Sequence, residues 1–270
     1  ALHRAIELNG RATAQNQQAL AWGRLWVHDR EAVDAAVKPL LRDAQTGALA
    51  DTLDDLVAKR VPFLTDYQSA RYAKRYQKLV DRVRERESAV LPGSDRLARA
   101  VARYYFKLLA IKDEFEVARL YTDGAFEAQI AQQFEGDYEV KLHLASDHLF
   151  TPLFGRYDPE TGRAKKVAVP TKIMMPIFRV TSKLKFLRGT PFNPFGLRAH
   201  RKLERRLVTE YEARVAELLD GLSVDNLDTA TEIASLPELI RGFDSVKERH
   251  LEEAREKDRE LLDVFQRAAS

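Results

Sequence analysis

Tyr104, Leu108, Ile111, Phe115 and Ala118 recur at intervals of four and three residues. That spacing puts all five on one face of an α-helix, whereas on a strand they would scatter over both faces. The stretch Lys107–Gly124 therefore reads as the last four turns of a long helix stopped by Gly124. A chain that carries so wide an apolar stripe has to supply other helices to cover it. Beside the stripe run Lys112, Glu116 and Arg119, alternating in charge at helical neighbour distances. Two readings stand open: a solvated salt-bridge face, or a flank also covered by protein. In the second, removing either cation strands a buried Glu116.

Composition points the same way. Glycine is scarce (12 of 270 residues) while alanine, leucine, arginine and glutamate are common, so the expected fold is mainly α, a multi-helix array. The length is enough for a sizeable core in one or two domains. No apolar run approaches the roughly 18 residues that span a bilayer. Cysteine is absent, which removes disulfides, thiol nucleophiles and Cys-ligated iron–sulfur clusters from these residues. The N-terminus has neither Met nor a basic-then-apolar signal pattern and reads as the start of an excised piece.

Taken in order, residues 1–22 have helical composition. Asp29 is placed to cap a helix to about Asp43, Asp51 another to about Arg60, and Pro62 to open a long amphipathic helix. The charge run Arg82–Glu87 at its far end reads as a solvated face. Ser94 is the expected cap of the central helix, and a short helix from Ala125 to Phe134 follows it. Residues 25–137 thus form one helical subdomain. From Tyr138 to Leu144 apolar and polar residues alternate, and Arg156–Arg163 carries turn chemistry, so residues 138–170 are expected to form a small β-hairpin or extended arm. Helix returns at Thr171 for a second subdomain, 171–270. It is interrupted at Pro176, passes a loop that Phe192 and Phe195 could anchor, and resumes to about Asp220. Ser223 and Ser245 are candidate caps for two final helices, the last polar all round at Glu252–Glu260 and expected to fray or pack elsewhere.

Chemistry is easier to exclude than to assign. No two glycines stand two apart, so a G-x-G-x-x-G fingerprint is absent, as are a phosphate loop, a G-x-S-x-G elbow and H-E-x-x-H. His143 and His148 are five apart, poor spacing for one face, and read as ordinary histidines with no metal between them. Adjacent acids such as Asp113 and Glu114 do not face each other on a helix, so no general acid/base pair or other catalytic set is identified. Charge is segregated: Arg163–Arg206 holds 13 Lys or Arg and one acid, a local +12 against +3 overall, which leaves −9 on the remainder. Arg188, Arg198, Arg201, Lys202 and Arg205 are the candidate contacts for an anion or an acidic partner. Equally, this positive surface could meet the chain's own acids or a neighbouring domain.

Four segments in order, RAIELNG (4–10), KDEFEVARLYTDGAFE (112–127), LRGTPFNPFG (187–196) and LPELIRGFDSVKERHLE (236–252), resemble the C-terminal region of the single-chain indolepyruvate ferredoxin oxidoreductase family. The resemblance spans nearly the whole chain. It implies a cytoplasmic parent enzyme that decarboxylates aryl 2-oxo acids oxidatively, using thiamine diphosphate, magnesium and iron–sulfur clusters, and that passes the acyl group to coenzyme A and electrons to ferredoxin. Residues 1–24 would then be the tail of a preceding catalytic domain. The Gly-Asp-Gly start of a thiamine site is missing here, so those cofactors would lie upstream. The expected role is non-catalytic bracing, with the upstream domains, ferredoxin and a second copy as partners and no membrane. Lys112, Glu116 and Arg119, with Arg241, Lys247 and Glu248 in the last segment, are the expected structural ion network. The alternative is a free-standing helical module whose basic face binds an acidic protein or nucleic acid.

Overall fold

The computed structural model describes residues 1–44, 52–144, 167–196, 199–242 and 244–269. It is mainly α, as expected, with twelve α-helices and one two-stranded sheet among the described residues. The chain divides into two compact units, Ala1–Ala50 and Asp51–Ser270. Residues 25–50 thus group with the N-terminal tail, and residues 51–137 share a unit with 171–270.

The first unit is three consecutive helices, α1 (Leu2–Asn9), α2 (Thr13–His28) and α3 (Arg30–Ala44). Gly10 ends α1 at φ 66°, a backbone position that costs glycine least. Asp29 caps α3 by accepting a hydrogen bond from the Ala32 amide at 3.0 Å.

In the second unit Thr52 caps α4 (Leu53–Tyr67), its Oγ1 accepting from the Asp55 amide at 3.1 Å. Pro62 does not open a helix; it lies inside α4. The break comes later, at Gln68–Ser69, where Ser69 caps α5 (Ala70–Val90) by accepting from the Tyr72 amide. A proline removes one ladder bond, and the apolar positions Leu53, Leu56, Leu64 and Tyr67 keep one buried face on both sides of it.

The central helix is two helices. α6 (Arg96–Leu109) stops at Ala110, and α7 (Glu114–Thr122) starts afresh with Asp113 as its cap, accepting from the Glu116 amide at 2.9 Å. An acceptor three residues before an acid is a helix-start signal, and here it outweighs a continuous apolar period. The buried face of α6 also sits one residue further along than the stripe suggested. Leu97, Ala98, Val101, Ala102, Tyr105 and Leu109 are buried, while Tyr104 and Leu108 lie on the flank.

Glu87 corrects a second expectation. It is fully buried, and its carboxylate accepts from Ser94 Oγ (2.6 Å), the Leu97 amide (3.1 Å) and the Ala98 amide (2.9 Å). Asp95 at the cap position of α6 makes no side-chain cap bond. The orphan amides of α6 are answered by an acid from the helix before it.

After α8 (Ala125–Gln133), β1 (Lys141–Leu144) and β2 (Val167–Pro170) pair antiparallel with Leu142 opposite Val169. These two residues bury one face of the hairpin on Ala118, Met174 and Phe178, a core shared with α7 and α9 (Thr171–Lys183). Pro176 lies inside α9, and a 3-10 turn (Leu184–Leu187) follows it. The Arg156–Arg163 turn lies outside the described residues.

α10 (Ala199–Asp220), α11 (Leu227–Ser235) and α12 (Asp244–Ala269) complete the unit. Ser223 does not cap α11. Instead Asn226 ties the turn, accepting from the Ser223 amide and donating to the Gly221 carbonyl. Far from fraying, α12 buries Leu251, Ala254 and Phe265 and pairs Asp258 with Arg214 at 2.7 Å. Through the main core runs a stack of buried tyrosines, Tyr76, Tyr105 and Tyr211, with successive ring centroids 6.0 Å apart. Tyr76 and Tyr211 donate to the carbonyls of Ala102 and Ala234, and Tyr105 donates to Glu212.

Candidate functional site

The break between α6 and α7 places Asp113 where a cation from far along the chain can reach it. Arg188, just past the 3-10 turn, donates from Nε to Asp113 Oδ2 at 2.6 Å and from Nη2 to Oδ1 at 2.8 Å. Its Nη1 donates to the Tyr67 carbonyl at the end of α4. The guanidinium lies 3.8 Å from the centroid of the Tyr67 ring and 5.4 Å from that of Phe115. Burial works most strongly against the Arg188 charge, but the hydrogen bonds and charge of Asp113, together with Tyr67 and Glu116, outweigh it and hold the group's pKa above its ordinary value. One arginine thus ties three segments, α4, the start of α7 and the 3-10 turn, and Arg188 meets an acid of its own chain.

Next to this centre the loop anchors on one aromatic ring. Phe195 packs edge-on to Phe115 with centroids 5.2 Å apart, whereas Phe192 is 81% exposed. Arg201, at the start of α10, reaches Glu114 at 3.2 Å and Glu204 at 2.8 Å. Of the other basic candidates, Arg205 is exposed and donates to the Gly196 carbonyl at 2.8 Å, Lys202 is exposed, and Arg198 lies outside the described residues.

Glu116 is buried and takes both ends of the Arg119 guanidinium, at 2.7 and 2.9 Å. This hydrogen bonding raises the Arg119 pKa. Arg119 also lies 5.3 Å from the Phe63 ring centroid. Lys112, the third member of the expected network, is exposed and stands apart from that pair because the helix break intervenes. Arg241 pairs with Glu238 at 3.0 Å on the surface. Lys247 and Glu248 fall in α12, but their side chains are outside what is described. His143 is exposed on β1, and His148 is outside the described residues.

Three of the four segments that carry the family resemblance lie in this unit. Residues 112–127 and 187–196 join through Arg188 and Phe195. Residues 236–252 are held against α6, where Lys107 Nζ donates to the Pro237 carbonyl at 2.7 Å and Tyr104 donates to Glu238 at 2.7 Å. A cleft of about 420 Å³ opens beside this last junction, lined by Leu108, Tyr211, Ile233 and Leu251 together with Arg214 and Arg255. Both arginines there are already paired, with Glu217 and Asp258 and with Glu210 and Glu252 respectively.

Residues 53–260, more than three quarters of the chain, match a family described as a family of unknown function, DUF6537. The chain belongs to that family. The matched span of this DUF6537 member runs from the first turn of α4 into α12 and takes in Asp113, Glu116, Arg119, Arg188 and Arg201. Neither the curated proteins nor the solved structures contain a match. The residues that sequence reasoning missed are Asp113, Glu87 and Glu212. Asp113 carried a usable signal, the D-x-x-E spacing to Glu116; Glu87 and Glu212 stand in ordinary charged helix faces.

Proposed function

We propose that this chain is the non-catalytic C-terminal region of a larger cytoplasmic oxidoreductase similar to indolepyruvate ferredoxin oxidoreductase, and that it braces the enzyme's catalytic domains. The observation that supports a bracing role is that two resembling segments, 112–127 and 187–196, join each other while a third, 236–252, is held against α6. Their charged and aromatic side chains, Asp113 with Arg188 and Phe115 with Phe195, hold helices together. In the parent, thiamine diphosphate, magnesium and the iron–sulfur clusters belong to the upstream domains, which decarboxylate an aryl 2-oxo acid, load coenzyme A and reduce ferredoxin.

Within this chain Arg188 and Arg201 neutralise internal acids, so of the five basic candidates Lys202 and Arg205 are the described ones left for ferredoxin or coenzyme A. The test is to isolate the native chain and assay coenzyme-A-dependent ferredoxin reduction with aryl 2-oxo acids. A chain well beyond 270 residues with that activity supports the reading, and an active native chain of this length alone overturns it. Ferredoxin and coenzyme A titrations across a salt series, with Lys202→Glu/Arg205→Glu, then separate a carrier contact from pure bracing.

A further inference from the structure

α5 turns a second basic surface outward, remote in sequence from the Arg163–Arg206 segment. Arg71, Lys74, Arg75, Lys78 and Arg82 are all exposed. Their spacing places them in one stripe along the helix, about 16 Å long at 1.5 Å per residue. The opposite face buries Ala73, Tyr76, Val80 and Val83, so the orientation of the stripe is set by the core. The five cations, with Leu79 and Glu212, line an open groove of about 550 Å³ between α5 and α10.

Among the described residues a single acid, Glu212, lines this groove, and it is already engaged. Glu212 accepts both ends of Arg75 at 2.7 Å and also the Tyr105 hydroxyl. Arg71, Lys74, Lys78 and Arg82 have no ion pair among the described residues. Like charges three and four apart on a helix repel, and none of these four side chains packs into the core. A row of unanswered cations on a rigid helix is complementary to a row of anions at the same pitch.

We propose that this groove docks a carboxylate-rich helix of a separate protein, with its acids at three- and four-residue spacing. A nucleic acid fits less well. Among the described residues no aromatic side chain lines the groove to stack on a base. At its far end the stripe passes into a mixed surface of Arg82, Glu85, Arg86 and Asp220, where two acids would face a continuous phosphate backbone. A protein surface can answer both signs. Such docking is independent of whether the chain serves an oxidoreductase.

The probe is a fluorescent synthetic helix with Glu at positions i, i+3, i+7 and i+11, titrated by anisotropy into the intact protein at low and high salt. Lys74→Glu/Lys78→Glu should weaken binding about tenfold or more, and added salt should weaken it further. Lys172→Glu/Lys183→Glu, cations on α9, is the control and should leave it unchanged. All these side chains are exposed, so unaltered thermal melts establish that the variants fold. Equal loss in both double variants, no binding by the parent protein, or tighter binding of a single-stranded oligonucleotide than of the peptide would each overturn the proposal.

Discussion

Arg188 grips Asp113 across 75 residues of sequence with two parallel hydrogen bonds of 2.6 and 2.8 Å, both side chains being at least nine-tenths buried. Asp113 simultaneously caps α7. Arg188→Met leaves that carboxylate buried without its cation and should lower the unfolding free energy by about 3–5 kcal/mol. Adding Asp113→Asn to it should recover part of the loss, since the uncompensated charge is gone while an amide can still cap. Urea denaturation at neutral pH reads both, and a loss below about 1 kcal/mol for the single variant would remove this pair from the centre of the fold.

Glu87 has a different partnership, with three donors at the start of α6. Glu87→Ala strands the buried Leu97 and Ala98 amides and is expected to cost about 2–3 kcal/mol. Glu87→Gln keeps one carbonyl oxygen and should cost less. Hydrogen exchange at the Leu97 and Ala98 amides should rise in the alanine variant more than elsewhere in α6. Uniform exchange along the helix would show that Glu87 does not cap it.

Alkaline pH acts on the tyrosines. Burial pushes the Tyr72 hydroxyl up to about 12, and it raises those of Tyr67, Tyr76, Tyr105 and Tyr211. An unfolded tyrosine loses its proton near pH 10, so above that pH the unfolded chain binds fewer protons than the folded one. The stabilisation is complete below about pH 10 and for Tyr72 is lost as pH rises through about 12. Each such tyrosine steepens the fall by up to about 1.4 kcal/mol per pH unit. Tyr72→Phe should flatten the slope measured by urea titration between these limits, and an unchanged slope would contradict it.

Pro62 is exposed in the interior of α4. Pro62→Ala restores a ladder hydrogen bond to the Ala58 carbonyl and removes the ring clash, and should stabilise the protein by about 1–3 kcal/mol. A lower melting temperature in this variant would mean that the proline shapes α4 for its packing.

By itself the amino-acid sequence determined the mainly helical class, a small β-hairpin or extended arm within residues 138–170, the Asp29 cap and the long helix to Asp220. These are local: propensity, alternation and capping act within a few residues. It also placed Glu116 and Arg119 at a spacing where one helix turn brings them together. What only the tertiary structure decided is which charges are interior. Arg188 and Arg201 belong to the most basic segment of the chain, yet both meet acids, because the start of α7 brings Asp113 and Glu114 beside them. Glu87 stands in a run of charges that sequence reads as solvated, and it is buried because the next helix begins against it. A partner far away in sequence carries no local periodicity, so desolvation and pairing of these groups emerge only when the helices pack.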